Sequence, residues 1–335
     1  MITEITYREE WNAILQAVDN YDFYHTYDYH KLCANENEKS VLIVYRKAAI
    51  IIAIPVIIRS IKDTVYNDIT SVYGYSGPLT KNISDDYDNS DFQVALNKYL
   101  NSRNIVSVFN RLNPFIKNQK TVLKDLGDYR ENSAVVAINL REPLYKQKQN
   151  YQRRMKSQIN KARRVCTLKK ASTRDDINKF VEIYHQNMER VNADESYYFD
   201  ESYFNEFMRS KSYKSELLLA FSNDTNEAIA GALFVKTNNI VQYHLGGTKT
   251  EFLHIMPIKL IIDEMRIMAT EEGYHNLNLG GGYRGLADSL LRFKMSYTKR
   301  IKAFNVWKYI VNQEVYDHLA SQNETKRIDY FPAYR

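Results

Sequence analysis

The sequence predicts an α+β protein of two similar halves, each a mixed, mostly antiparallel sheet flanked by helices. In each half, three strand-like segments precede an amphipathic helix, and one more strand follows it. Between the halves, residues 146–170 contain ten lysines and arginines and no acidic residue. We therefore expect a first domain at 1–142, a basic linker helix at 143–170 and a second domain at 171–315, with 316–335 as a candidate completion of the first.

The second half gives the order of elements most clearly. Runs of apolar and alternating residues predict its strands, which cover 216–222, 228–237, 240–246 and 275–279. The predicted helix begins with Pro257 at the first helical position, and Gly273 is expected to end it. Its apolar face consists of Ile258, Ile261, Ile262, Met265 and Met268. Two further helices, 173–191 and 200–209, are expected before the first strand.

The first half repeats this order without evident residue identity, so the repeat is one of architecture. Its predicted strands cover 41–46, 49–58, about 69–75 and 104–110, and its predicted helices cover 7–18, 27–34 and 91–102. The last of these helices lies between the third and fourth strands, as in the second half.

Composition and the N-terminal residues indicate the class of protein. At 335 residues, of which 44% are hydrophobic, the chain is long enough for two domains with cores of their own. Charged residues stand where a signal peptide would have an apolar run, so we expect a cytoplasmic protein, with the inner face of the membrane as a second location. Cys33 and Cys166 provide no disulfide framework and no metal-binding motif is present, so no metal is expected.

Positive charge is concentrated in the segment between the halves. The net charge is +6, and because residues 146–170 carry +10, the rest of the chain carries −4. A stripe at helical spacing predicts a helix over 150–166 that packs on the protein; its members are Met155, Ile159, Ala162 and Cys166. We expect five cations of this helix to bind an anion, namely Arg153, Arg154, Lys156, Arg163 and Arg164. A tRNA acceptor stem, a lipid diphosphate and an anionic membrane are the candidate partners, DNA is not, and a solvated inter-domain helix is the alternative.

A glycine-rich segment, LNLGGGYRGLADSLLRFK at 277–294, contains the spacing G-x-G-x-x-G. A dinucleotide-binding fingerprint needs an acidic residue about 20 positions further on, but the chain reads AFNVWKYI around position 305. No G-K-[ST] follows, which argues against a P-loop. The local residues leave two interpretations, a tight turn or a loop that a substrate approaches closely because glycine has no Cβ.

The longer segment LNLGGGYRGLADSLLRFKMSYTK resembles the C-terminal signature of the FemABX family. These are GNAT-type nonribosomal peptidyltransferases that add amino acids from aminoacyl-tRNA to peptidoglycan precursors. The matching residues are Leu279, Gly280, Gly281, Asp288, Ser289, Leu290, Phe293 and Lys294. Two tandem GNAT-like (acyl-CoA N-acyltransferase-like) domains are what the resemblance implies, and the repeated order of strands and helix fits them.

Other segments are similar to the family, and some depart from it. YHLGGTKTEFLHIMPIKLIIDE resembles its strand–glycine–helix segment, YQRRMKSQINKARRV its basic linker helix, and DYHKL places Lys31 where the family has a phosphate-contacting lysine. SYYFDESYF offers Tyr203 and Phe204 without the arginine of the nucleotide-precursor enzymes, and Asn113 stands where the family's Arg-x-Asp-Pro has aspartate. The resemblance therefore implies an envelope precursor as acceptor, either peptidoglycan or a lipid-linked glycan, without specifying a UDP-linked muropeptide.

The resemblance also implies a set of site residues. Lys294 is the expected catalytic group, because aminolysis of an ester needs a positive charge at the developing oxyanion. The expected substrate-binding residues are Lys31, Arg111, Tyr203, Tyr243, Gly280, Gly281, Gly282, Arg284, Asp288, Ser289 and Phe293. Taken alone, Lys294 could also be a solvated lysine, Asp288 an N-cap and Tyr243 a core residue. A base role for His244 is the less favoured interpretation.

The donor is expected to be an aminoacyl-tRNA, with no tightly bound cofactor. CoA-dependent members of the fold place a glycine-rich pyrophosphate loop before the central helix, and the segment GGTKTEFLHIMP lacks that pattern. Two alternatives stay open. One is an N-acyltransferase that uses acyl-CoA or an acyl carrier on an amino sugar in polysaccharide synthesis. The other is a non-catalytic module that binds RNA or a membrane.

Overall fold

The computed structural model describes residues 1–283, 286–323 and 330–335, which divide into two compact units. Unit 1 contains Met1–Ser133 and Ala303–Arg335, and unit 2 contains Ala134–Lys302. These boundaries differ from the predicted ones. The basic segment predicted as a separate linker lies within unit 2, and the chain returns to unit 1 at Ala303 instead of 316.

The described chain contains both strands and helices in each unit. The strands are β1 (Ile2–Ile5), β2 (Glu38–Lys47), β3 (Ile50–Ser60), β4 (Asn67–Thr70), β5 (Leu79–Lys81), β6 (Ile105–Arg111), β7 (Asp128–Asn139), β8 (Cys166–Lys170), β9 (Lys214–Ser222), β10 (Ala228–Thr237), β11 (Ile240–Thr248), β12 (Asn276–Gly280) and β13 (Ile301–Ile310). The α-helices are α1 (Arg8–Ala17), α2 (Tyr27–Cys33), α3 (Ser90–Ser102), α4 (Gln119–Val122), α5 (Leu144–Gln149), α6 (Met155–Val165), α7 (Arg174–Arg190), α8 (Glu201–Arg209), α9 (Pro257–Glu271), α10 (Ser289–Lys294) and α11 (Gln313–Gln322).

Unit 1 is built on a sheet with the order β1-β2-β3-β4-β6-β13, with β5 also paired to β3. Strands β2, β3 and β4 are antiparallel neighbours, α3 follows, and β6 then lies parallel to β4. The main core of this unit packs apolar side chains of the sheet against α3, through Phe92, Leu96 and Leu100. Strand β13 is antiparallel to β6, which is why the C-terminal part of the chain belongs to this unit.

Unit 2 repeats the same order on a sheet β7-β12-β11-β10-β9-β8. Strands β9, β10 and β11 are antiparallel neighbours, α9 follows, and β12 lies parallel to β11. The core on one face of the sheet packs α6 and α9 against the strands. Both predicted sets, each of three adjacent antiparallel strands, a helix and one more strand against the third, are thus confirmed, and so is the α+β class.

Capping residues explain where the principal helices of unit 2 begin and end. Thr173 and Asp176 form a reciprocal capping box at the start of α7. Helix α9 has Pro257 in its first turn, as expected. It ends in a Schellman motif, because the N–H groups of Gly273 and Tyr274 donate to the carbonyls of Thr270 and Ala269.

The sequence did not reveal several edge and terminal strands. Strand β7 contains the polar run DYRENS, which obscures its alternation, and β8 occupies 166–170, at the end of the segment predicted as linker. The predicted basic helix over 150–166 begins at Met155 and ends at Val165, with Cys166 already in β8. In the described part of the chain, no helix has the length and apolar character needed to cross a membrane.

Candidate active site

The central strands of unit 2 part at their carboxyl ends. Pairing of β11 with β12 stops at Gln242 and Asn278, whereas pairing of β11 with β10 continues to Thr248. The side-chain amide of Asn278 donates to Gln242 at 2.8 Å, and the backbone N–H of Gly280 donates to Asn278 at 3.0 Å. Ligands commonly bind where neighbouring strands of an α/β sheet separate. Asn278 therefore fixes the end of β12 beside an opening, a role that sequence reasoning missed although both amides interrupt apolar strands.

The glycine-rich segment forms a turn that begins where β12 ends. Gly280 has a φ of +76°, a conformation that favours glycine. A Cβ at Gly282 would collide with the carbonyl of Leu286 and the carboxylate of Asp288. The backbone thus passes so close to the following segment that a larger residue does not fit.

Asp288 holds this turn and starts α10. Its carboxylate accepts hydrogen bonds from the N–H groups of Leu291 at 2.8 Å and Tyr283 at 3.0 Å. Burial acts to raise the pKa of Asp288, but these N–H donors outweigh it and leave that pKa lowered. Asp288 is therefore an ionised N-cap that ties the turn to the helix, and Ser289 is the exposed first residue of α10.

Lys294 ends α10 and is buried, with 7% of its surface exposed. Its ammonium group donates a hydrogen bond to the carbonyl of Gly281 at 2.6 Å. Burial lowers the pKa of Lys294 to about 8, and the charge of Asp288 opposes that change. The side chain is thus mostly a cation at pH 7. Within the described chain, the ammonium of Lys294 uses one of its three N–H donors on the Gly281 carbonyl, which leaves two for a substrate oxygen.

Aromatic and polar groups of α6, α9 and α10 surround the lysine end of the helix. The centroid of the half-buried Phe293 ring lies 6.0 Å from that of the Tyr297 ring and 5.8 Å from the Lys259 ammonium. Lys259 also donates to Gln158 at 2.7 Å, and the hydroxyl of Tyr297 donates to the carbonyl of Lys259. These contacts fix the position of α10, and hence of Lys294, on the core of unit 2.

Tyr243 and His244 project from opposite faces of β11. Tyr243 is half-buried against Phe234 in the α9 core, and burial raises its pKa, so the phenol stays protonated. His244 stacks on Phe207 of α8 at 5.1 Å, with its Nε2 atom 3.4 Å from the hydroxyl of Tyr203. Burial lowers the pKa of His244 to about 3, so the imidazole is neutral at pH 7.

The remaining predicted substrate-binding residues fall in three places. Lys31 is exposed on α2 and Arg111 is half-buried at the end of β6, so both belong to unit 1. Gly280, Gly281, Gly282, Asp288 and Phe293 lie together with Lys294 in unit 2, as the motif predicts. Arg284 lies outside the described residues.

The segment 153–166, which contains α6, presents the predicted apolar stripe to the core and most of its charge to solvent. Met155, Ile159, Ala162 and Cys166 are all buried in the α9 core, while Arg153, Arg154, Lys156 and Arg164 are exposed. Arg163 differs from the other predicted anion-binding cations, because it donates to the carboxylate of Asp263 at 3.2 Å.

A buried polar network fastens α6 and the segment before it to α9. Asp263 accepts from the hydroxyl of Tyr151 at 2.6 Å and from the guanidinium of Arg266 at 2.9 Å. Arg266 also donates to Gln147 at 2.9 Å. Because each buried charge has a partner, this network holds the basic helix in one orientation on unit 2.

Comparison with known proteins gives a family match within the second unit. Residues 149–295 match the family model described as an acetyltransferase (GNAT) domain. No curated protein sequence gives a significant match to the chain. The matched segment begins at the end of α5 and extends just past Lys294, so it contains α6, the parted strands, the glycine turn and the lysine.

Solved structures match over nearly the whole chain. FemX is 14% identical, with 95% of this chain and 99% of that chain covered and a TM-score of 0.72. L-PGS from Bacillus licheniformis is 11% identical, with coverages of 92% and 93% and a TM-score of 0.57. The C-terminal domain of a protein assigned as a lysylphosphatidylglycerol synthetase from Agrobacterium fabrum is 8% identical, with coverages of 84% and 85% and a TM-score of 0.53. The chain therefore has a tandem GNAT fold like that of FemX, and residues 149–295 of its second unit match an acetyltransferase (GNAT) domain.

Proposed function

We propose that the chain is an aminoacyltransferase that moves an amino acid from an aminoacyl-tRNA to an amino group of a cell-envelope precursor, either peptidoglycan or a lipid-linked glycan. The observation that carries the proposal is Lys294, a buried cation whose ammonium is held 2.6 Å from the carbonyl of Gly281, at the opening between β11 and β12. The folds of FemX and of L-PGS, an aminoacyl-phosphatidylglycerol synthetase, support aminoacyl transfer as the class of reaction.

The chemistry follows from what aminolysis of an ester requires. Attack of a neutral amine on the ester carbonyl forms a C–N bond and places negative charge on the carbonyl oxygen. The two remaining N–H donors of Lys294 are suited to stabilise that charge in a site from which most water is excluded. Collapse of the intermediate breaks the ester C–O bond and leaves the amide, and the proton that the amine loses ends on the leaving oxygen, which becomes the tRNA hydroxyl.

The exposed cations of α6 and of the two residues before it are proposed to bind the charged donor. Arg153, Arg154, Lys156 and Arg164 are solvent-exposed, and the buried network on Asp263 fixes their helix. A cationic surface of this kind attracts phosphates without reading nucleotide sequence. Arg163, being paired with Asp263, is left out of this proposed surface.

An acyl-CoA-dependent N-acyltransferase that acts on an amino sugar is the second candidate. The match of residues 149–295 to an acetyltransferase (GNAT) domain favours it. The two candidates use the same Lys294 chemistry and differ in the donor, so a donor assay separates them.

Mass spectrometry of cell-envelope precursors tests the proposed acceptor. A deletion strain is expected to accumulate a precursor that lacks one aminoacyl group, and the wild-type gene, but not Lys294→Met, should restore it. A precursor that lacks an acyl group on an amino sugar would favour the second candidate. Identical precursors in the deletion and parent strains would overturn both.

A further inference from the structure

Unit 2 contains a pocket at the end of β12 opposite to the glycine turn. Its volume is about 210 Å³, and its principal lining residues are Asn139, Glu142, Gln147, Thr298, Lys299 and Arg300. Asn139 faces Asn276 across the β7–β12 pair, and β12 then runs five residues to Gly280. Ile138, which also lines the pocket, faces Leu277, so at ~3.3 Å per residue the pocket lies about 10–13 Å along β12 from Gly280, where the glycine turn of the candidate active site begins.

Three consecutive residues supply hydrogen-bond donors to this pocket. Arg300 is half-buried and oriented by Asn276, whose side-chain oxygen accepts from one of its terminal nitrogens at 3.0 Å. Lys299 is exposed at the rim, and Thr298 is 5% exposed, with its hydroxyl oxygen already accepting from the N–H of Arg300. In the described chain neither Arg300 nor Lys299 forms an ion pair. A half-buried guanidinium that forms no ion pair favours binding of an anion.

Positive charge exceeds negative charge around the pocket. Burial lowers the pKa of Arg300, and the neighbouring charge of Arg141 lowers it further, whereas Glu142 opposes the change. Glu142 is held by amides, since Asn139 donates to it at 3.2 Å and Asn150 at 3.5 Å. The cations therefore outnumber the one carboxylate, and an incoming anion would relieve their mutual repulsion.

One acceptor in the pocket has no donor among the described residues. The Oδ1 atom of Asn139 is shielded from solvent and accepts no hydrogen bond there. The orientation of this amide is set by its nitrogen, which donates to the Glu142 carboxylate. An unsatisfied buried acceptor costs about 1–3 kcal/mol, so a ligand hydroxyl or amine at this point would be stabilising.

We propose that this pocket binds a phosphate monoester of a small polyol or amino alcohol, of the size of a sugar phosphate. The donors of Thr298, Lys299 and Arg300 suit the three terminal oxygens of a phosphate better than the two of a carboxylate. Asn139 accepts from a hydroxyl or amine of the ligand body. The volume is below the roughly 300–1,000 Å³ of sites for drug-sized molecules, which excludes a whole nucleotide bound inside it.

Isothermal titration with ribose 5-phosphate tests the proposal, with orthophosphate and ribose as parallel probes. We expect saturable binding of ribose 5-phosphate, at least about tenfold weaker binding of orthophosphate and none of ribose. Arg300→Gln and Asn139→Leu should each weaken binding by about tenfold or more. Arg209→Gln, which removes an exposed cation of α8, is the matched control and should leave binding unchanged.

Two results would overturn this assignment. One is the lack of saturable binding for both ribose 5-phosphate and orthophosphate. The other is equal affinity in the wild type, Arg300→Gln and Asn139→Leu. Since Arg300 also bonds Asn276, Arg300→Lys provides a variant that keeps the charge; it should melt like the wild type and bind ribose 5-phosphate with intermediate affinity.

Discussion

The side chain on which the proposed chemistry depends is Lys294. Its replacement by methionine keeps the length and apolar stem but removes the charge, so kcat should fall about 10²–10³-fold. Lys294→Arg should also be impaired, because a planar guanidinium does not fit a pocket shaped for an ammonium. Arg292→Met, on the exposed side of the same helix, is the control and should retain activity. Near-normal kcat in folded Lys294→Met would remove Lys294 from the mechanism.

The lowered pKa of Lys294 predicts a pH dependence with a defined sign. Burial favours the neutral amine, so the folded enzyme loses this proton as pH rises through about 8 instead of through the usual 10.5. If the ammonium stabilises the oxyanion, kcat should decline above about pH 8, after a rise that reflects deprotonation of the acceptor amine. A rate that keeps rising to pH 10 would instead indicate that neutral Lys294 acts as a base.

Residues of the candidate site were predictable where they belong to a local sequence motif, and not where their role depends on tertiary contacts. The motif and its resemblance indicated Lys294, Asp288 and the glycines, and the structure brings these together in unit 2. Burial of Lys294 was not predictable, because Arg292 and Lys299 nearby make the segment look solvated. The pairing of Arg163 with Asp263 was also missed, since it joins residues 100 positions apart.

Among the elements, α6 combines a structural and a proposed binding role. Replacing Arg153, Lys156 and Arg164 with Gln should raise KM for the charged donor and flatten its salt dependence, with kcat little changed. The same change at three exposed lysines of unit 1, Lys62, Lys117 and Lys120, matches the lost charge and should have a smaller effect. If KM of the α6 variant is unchanged at both low and high salt, the helix has no donor-binding role.

The buried network beneath α6 predicts a large loss of stability on removal of one partner. Arg266→Leu leaves Asp263, Tyr151 and Gln147 without their shared donor, so the free energy of unfolding should fall by about 3–5 kcal/mol. Arg163→Gln should cost less than about 1 kcal/mol, because that side chain is half exposed. Equal losses in the two variants, measured by urea unfolding, would contradict this account of the network.

The central elements were more predictable than the edges. Strands β9, β10 and β11 and helix α9 lie within a few residues of their predicted positions, because their apolar patterns and turn residues are local signals. Strand β13 was missed because its order comes from pairing with β6, about 200 positions earlier in the chain. Its return to unit 1 also explains why the predicted domain boundary at residue 315 differs from the structural one at Ala303.

At the scale of the whole molecule, the repeated order of elements shows one fold used twice, while the glycine turn and Lys294 occur in unit 2. Unit 2 also carries the basic segment, so the proposed donor-binding charge and the proposed catalytic lysine belong to the same unit. This arrangement supports binding of a charged donor to unit 2. The central claim is therefore that the donor is an aminoacyl-tRNA.

Transfer measured with purified protein and purified envelope precursor tests that claim most directly. Charged tRNA should support transfer of its amino acid to the precursor, treatment of the donor with RNase should abolish the transfer, and Lys294→Met should reduce its rate about 10²–10³-fold. Transfer from acetyl-CoA or another acyl-CoA that is insensitive to RNase, with none from charged tRNA, would contradict the account and establish the N-acyltransferase instead.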